Sequence, residues 1–328
     1  LMVVGDGISG FQFVDIGDPS SPTIVGTFDT FGTASKVMMD GTRCYLADGC
    51  LEILVVDASV PSSPVLLGTY DTPVAALDVV VDGTIAYIAD ASSGLQIADI
   101  SDPGAPAFLG ALATADSANG VAFESGIVYV SDRFAGLQIV DVSDPTSPTM
   151  LGSVDTPGRA NAVVLAGTIA YVADSSEGVQ IIDVSDPMVP TILGTAETFR
   201  NANDVVMEGS LLVVGVTDGV TVFDASDPMA PVFLGTIPLA TLTNGVAIDD
   251  GRIGAACGLD GAFLVDGAFD CAGCAPDLNS DGALDIFDLL EFLALFDASA
   301  PGADWNGDGV LDIFDVVSFL DEFSMGCA

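Results

Sequence analysis

Short apolar runs of four to seven residues, each stopped by Gly, Asp, Ser or Pro, follow one another along most of the chain. One representative stretch has them at Ala160 to Leu165, Ile169 to Asp174, Val179 to Val184 and Thr191 to Thr195. They are rich in Val, Ile, Leu and Tyr and too short for helices, so each is predicted to be a strand. The group of four recurs. GLQIVDVSDPTSPTMLG around Asp141 returns as GVQIIDVSDPMVPTILG around Asp183. The pattern centres on Asp15, Asp57, Asp99, Asp141, Asp183, Asp224 and Asp266, at spacings of 42, 42, 42, 42, 41 and 42. A fixed period in this range marks a propeller, a solenoid or an array, and four strands per repeat make a propeller blade.

Runs such as LQIVDVSDP resemble the LVIVD-repeat β-propeller family, over residues 1 to about 267. The resemblance implies a fold more than an activity. Local physics agrees with it: in DVSDPxxP the Asp and Ser side chains cap turn amides, and Pro fixes φ and offers no N–H, so the third strand must stop there. With strands A to D counted outwards from the channel, the sequence supplies B, C and D for the first blade, five complete blades, and A, B and C for the last. That makes 26 strands where seven blades of four need 28. An innermost strand for blade 1 and an outer strand for blade 7 are expected from one upstream stretch of roughly 20 or more residues, which would pair two open sheet edges. The fold class expected is an all-β seven-bladed propeller over 1–267, a Cys-containing linker over 268–276, and a small helical calcium-binding domain over 277–328.

Composition narrows the chemistry. The 328 residues include 47 Asp or Glu, 6 Lys or Arg and no His, for a formal charge of −41. Nucleic acid is an improbable partner for so acidic a surface. Without His, Ser-His-Asp and Cys-His nucleophiles and His zinc sites are excluded, and any catalysis must run on carboxylates, hydroxyls, Tyr or Cys. Half the residues are apolar, enough for a large core under an acidic coat. No apolar run approaches the roughly 18 residues a membrane helix needs.

Two sets of polar residues recur on one face of the disc, where strand A starts and strand B ends. Asn119, Asn161, Asn203 and Asn244 stand near the start of A, and Asp6, Asp48, Asp90, Asp132 and Asp174 at the end of B. Both types cap turns with their side chains. The alternative is a cation, glycan or protein site at the channel mouth, with Asn119, Asn161, Asn203, Asn244, Asp90, Asp132 and Asp174 as its residues. Arg133, Arg159 and Arg200 fall in or near the same loops; pairing with those acids is the expected role, and binding an anionic partner the alternative.

After Asp266 the period ends. Residues 277–288 read DLNSDGALDIFD and residues 304–315 read DWNGDGVLDIFD. Oxygen-bearing side chains at positions 1, 3, 5, 9 and 12, with Gly at 6, follow the EF-hand calcium loop, whose seventh position offers its carbonyl. The expected ligands of two calcium ions are Asp277, Asn279, Asp281, the Ala283 carbonyl, Asp285 and Asp288, and then Asp304, Asn306, Asp308, the Val310 carbonyl, Asp312 and Asp315. Four carboxylates converging in each loop would repel one another without a divalent cation. Each loop leads into an apolar helical segment, IFDLLEFLALF and IFDVVSFLDEF. The duplicated loop-helix units over 277–323, with Gly326-Cys327 beyond them, resemble the dockerin family of GC type. This implies a cohesin-like protein partner and an anchoring role at a cell surface or in an extracellular assembly. Ile286-Phe287 and Ile313-Phe314 stand where cellulosomal dockerins often carry Ser-Thr.

Six cysteines (Cys44, Cys50, Cys257, Cys271, Cys274 and Cys327) suit a few bridges in an oxidising compartment. Cys44 and Cys50 flank the Asp48-Gly49 turn as a candidate pair, and Cys271 or Cys274 with Cys327 as another. The functional expectation is a secreted, non-catalytic binding or scaffold protein with a docking module. The alternative is a propeller hydrolase or lyase acting on polysaccharide.

Overall fold

The structure is a computed structural model. It describes residues 1–266, apart from 6, 8, 19–20, 31, 50–51, 240–241, 250 and 258–260, together with residue 316. The segments expected to form calcium loops and helices, apart from residue 316, lie outside the described residues, as do Cys271, Cys274, Cys327, Asp6 and Cys50.

Leu1–Asp266 forms one compact unit of 26 strands in seven antiparallel sheets, the number and order the repeat predicts. Blade 1 has three strands (Met2–Gly5, Phe11–Asp15, Thr23–Phe28), blades 2 to 6 have four each, and blade 7 has three (Gly245–Asp249, Arg252–Ala256, Ala262–Asp266). Blade 4 shows the common plan: strand A is Gly120–Glu124, B Ile127–Ser131, C Leu137–Asp141 and D Thr149–Val154. A cavity of about 730 Å³ lies beside Met2–Gly5, Lys36, Asp204 and Gly245–Ala247. A second, of about 220 Å³, lies between Met2, Val14 and Ile24 of blade 1 and Leu264 of blade 7.

Strands B and C are buried on both faces, as in Ile127–Ser131 and Leu137–Asp141, because each blade is sandwiched between two others. Hence their side chains are apolar almost without alternation, and the core is a series of layers between blades. Tyr171, Val179 and Ile181 of blade 5, for example, pack with Val205, Leu212, Val214 and Phe223 of blade 6. Strand D carries a bulge at one fixed place, opposite Ile139/Val140 of strand C in blade 4 and Ile181/Ile182 of strand C in blade 5, and its glycine there faces the next blade. A methyl group at Gly110 or Gly152 would overlap the carbonyl of Pro145 or Pro187. The DP turn of one blade thus seats directly on the bulge of the blade before it, which only glycine permits.

The turns are capped as their sequence implies. Asp57, Asp99, Asp141, Asp183 and Asp224 accept the N–H of Ser59, Ser101, Ser143, Ser185 and Ser226 at 2.8–2.9 Å. These bonds hold the five carboxyls below the usual range.

The Cys44–Cys50 bridge is not formed. Cys44 is free and buried, and the strand register sets it opposite Val56 across the hairpin, while Asp48 faces Glu52. The side chain points into the layer with Phe13, Leu46 and Leu54, and burial pushes the thiol up to about 11. Cys257 is buried and also not disulfide-bonded.

Candidate functional site on the loop face

The recurring carboxylates at the end of strand B are fully buried and hold the loop that enters their own blade. Asp132 accepts the Thr114 hydroxyl at 2.7 Å and the N–H groups of Ala115 and Asp116 at 2.8 and 3.0 Å. Asp174 accepts from the Thr156 hydroxyl at 2.7 Å and Gly158 N–H at 2.8 Å. Asp90 accepts from Ala75 N–H at 2.6 Å and Asp48 from Gly32 N–H at 2.9 Å. Burial raises the pKa of Asp174 despite the bonds from Thr156 and Gly158. A loop of otherwise unpaired amides is thereby satisfied by one side chain. The Thr114 and Thr156 partners were not singled out in the sequence, although their signal is present: Thr30, Thr72, Thr114 and Thr156 repeat at the same interval of 42, each 18 residues before its Asp, while the Thr72 hydroxyl is buried without such a bond.

The asparagines link neighbouring blades. The amides of Asn119, Asn161 and Asn203 donate to the carbonyls of Ala160, Ala202 and Thr243 in the next blade at 3.2, 2.9 and 3.0 Å. Bridges Ala91↔Ala118, Arg133↔Ala160 and Ser175↔Ala202 lie alongside, and Ala91, Arg133 and Ser175 adopt positive φ of 42°, 48° and 54° to make them. Asn244 is exposed and lines the larger cavity, where a following blade would present the matching carbonyl.

Two blades depart from this plan. In blade 6 an exposed ion pair, Arg200 Nε to Asp218 Oδ2 at 2.6 Å, joins the two loops. In blade 7 Cys257 takes the place of the Asp, with its sulfur 3.4 Å from the Thr243 hydroxyl. Of the three loop arginines, then, Arg200 is paired with an acid as expected. Arg133 and Arg159 have no acid partner among the described residues; the Arg133 guanidinium lies 4.9 Å from the Phe134 ring centroid. The same loops expose Phe134 (61%) and Phe199 (81%), neither of which recurs in other blades.

Inside the channel the repeat is broken by charge. One repeat position near the start of strand A is small in Gly120, Ala162 and Gly245, but is Lys36, Asp78 and Asp204 in blades 2, 3 and 6. Lys36 Nζ meets Asp204 Oδ1 at 2.6 Å, joining blades 2 and 6. The second oxygen of Asp204 accepts Val246 N–H of blade 7 at 2.9 Å, and Asp78 accepts Val121 N–H of blade 4 at 3.0 Å. Burial works against the Lys36 ammonium, yet Asp204 and Asp78 outweigh it and hold its pKa above the usual value. Burial pushes Asp78 up to about 6 against the pull of Lys36 and the Val121 N–H.

One positive and two negative charges leave a surplus that falls on Asp78. Its folded pKa stands above its unfolded value, so the ionised form destabilises the fold above pH ~6, and that penalty fades as the pH falls towards ~4. Asp78→Asn, which keeps an acceptor for Val121, is therefore expected to raise stability by about 1–2 kcal/mol at pH 8 and by almost nothing near pH 4. Denaturant titrations at both pH values check this, and an equal effect at both would refute the assignment.

Solved structures share the ring. A functionally unknown protein from Desulfotomaculum acetoxidans matches at TM-score 0.67 and 14% identity, over 80% of this chain and 93% of that one. A computationally designed protein, Ika8, matches at TM-score 0.60 and 12% identity, over 80% and 79%. The Saccharomyces cerevisiae protein Sqt1 gives 0.59 and 12%, over 78% and 76%. At these identities the likeness is one of fold alone. No curated protein matches the chain in sequence. Among the described residues no helix is long and apolar enough to cross a membrane. The LVIVD repeat model matches six times, at residues 2–30, 31–72, 75–114, 115–156, 157–198 and 199–237. Those six matches cover the same repeated strands, Asp-capped turns and inter-blade contacts described above, and the chain belongs to the LVIVD repeat family.

Proposed function

We propose that the chain is a secreted, non-catalytic binding protein that uses the loop face of its propeller for recognition and its C-terminal residues for calcium-dependent docking. An LVIVD-repeat propeller suggests a binding or scaffold role. One observation carries the reading further: the polar groups that recur from blade to blade, Asp90, Asp132, Asp174 and Asn119, Asn161, Asn203, are occupied in holding the ring. What projects from the same loops, Phe134, Arg159 and Phe199, differs between blades. A rigid frame with unlike tips suits selective binding. The docking half rests on the paired oxygen pattern of 277–288 and 304–315, and extracellular placement on the dockerin resemblance of the same segment.

Calorimetry on the chelator-treated full chain should show two calcium ions bound, and Asp277→Ala and Asp304→Ala should each remove one. Absence of heat in the wild type, or two sites surviving in both variants, would defeat the docking half. A turnover screen on polysaccharides tests the other half, because release of soluble oligosaccharide would make the protein an enzyme.

A further inference from the structure

Of the six basic residues in this chain, Lys36 and Arg200 each have a carboxylate at 2.6 Å. Arg133 and Arg159 have none among the described residues, although acids outnumber bases 47 to 6. The two arginines are neighbours, because Arg133 bridges to Ala160 of the next blade, the residue after Arg159. Acids of the same loops are engaged elsewhere, wholly or in part. Asp132 is fully buried with both oxygens occupied by Thr114, Ala115 and Asp116. One oxygen of Asp116 accepts Phe134 N–H at 3.2 Å, and Glu177 accepts the Ser176 hydroxyl at 3.1 Å.

Nor is the first arginine loose. Its backbone sits at φ 48°, its guanidinium lies on the Phe134 ring, and its Nε is buried without a partner. A fixed guanidinium on one loop and an exposed arginine on the loop next to it suit a carboxylate, which accepts two N–H bonds at once. The surroundings choose the rest of the ligand. Residues 277–328 hold 12 acids and no base, so 41 − 12 leaves 29 surplus negative charges on residues 1–276. A polyanion is repelled by that field, whereas a carboxylate set among positive charges is drawn in by it.

We propose that the adjacent loops of blades 4 and 5 bind one acidic side chain of an otherwise basic peptide segment. Arg133 and Arg159 hold the carboxylate, the exposed Phe134 ring covers an apolar neighbour, and the acids around the pair meet flanking lysines. The proposal rests on the loop face being the recognition surface and names its partner.

The test is fluorescence anisotropy with the full chain and two labelled, C-terminally amidated peptides of sequence KKGEFGKK and KKGQFGKK, at about 0.1 M salt. The glutamate peptide should bind about tenfold more tightly, a difference of about 1.4 kcal/mol. Arg159→Gln, at an exposed position, should bring the ratio near one without changing the melting temperature, and Arg133→Gln should do the same. Equal binding of the two peptides, or a preference that survives both substitutions, overturns the proposal. So does tighter binding of polygalacturonate than of either peptide, lost in the same variants, which would make the ligand an acidic glycan. These substitutions touch only the arginine pair, so their failure removes this partner and leaves the loop-face reading to the turnover screen.

Discussion

Asp132→Ala is expected to destabilise the propeller by about 3–5 kcal/mol in denaturant titrations. Three donors converge on that carboxylate, the Thr114 hydroxyl and the N–H groups of Ala115 and Asp116, in a place closed to water. Truncation leaves all three part-buried donors without their acceptor, and each orphan donor costs roughly 1–3 kcal/mol. Asp132→Asn should recover only part of the loss, since its amide nitrogen would face N–H donors and only one oxygen remains to accept. Asp218→Ala provides the contrast. Asp218 joins the equivalent loops of blade 6 through Arg200, but both side chains are about half exposed, and such a surface pair contributes only about 0–1 kcal/mol. If Asp132→Ala and Asp218→Ala lowered stability equally, burial of the carboxylate would not be the source of its effect.

That contrast shows what was legible in the sequence. The period of 42 residues carried the strands, their number and the three-stranded first and last blades, because each blade is one supersecondary unit and the repeat spells out its strands and turns. Asp90, Asp132 and Asp174 were legible as residues of the loop face. Capping was the leading expectation for them, with a ligand site left open, since Asp at a strand end looks the same whether it caps an entering loop or faces a ligand; burial and the count of donors favour the cap. The inter-blade link from Asn119 to Ala160 spans 41 residues, one repeat, and so was hidden by the same periodicity that located the asparagine. The Cys44 pairing failed for a local reason: proximity in sequence across a turn is not proximity in register, and Val56 holds the position opposite. Pairing with loop acids was the expectation for all three arginines, and it holds for Arg200 alone among the described residues, because the repeat fixes which loop an arginine stands on but not which carboxylate its side chain reaches.

Least legible was the contact between Lys36 and Asp204, 168 residues apart, which exists only because the ring brings blades 2 and 6 to a common channel. Lys36→Met is expected to destabilise the fold by about 3–5 kcal/mol at pH 8. Methionine preserves the apolar stem but removes the only positive charge facing two carboxylates, one of them, Asp204, with a side chain only 2% exposed. The loss should shrink on acidification, for Asp78 already titrates at about 6, and removing the ammonium favours its protonation further. In the native protein Lys36 itself is held above its ordinary pKa, so the ammonium is fully protonated from pH ~5 to ~9 and the part of the linkage due to its own titration is complete below ~10; the acid dependence of the variant therefore belongs to Asp78. Adding Asp204→Asn to Lys36→Met leaves an acceptor for Val246 N–H and removes the stranded charge, so the double variant should regain more than half of the lost stability. A double-mutant cycle at pH 8 and pH 5 measures this coupling. A single variant that loses less than about 1 kcal/mol, or a double variant no more stable than the single, would mean that the pair is a solvated contact at the channel surface instead of a strut across it.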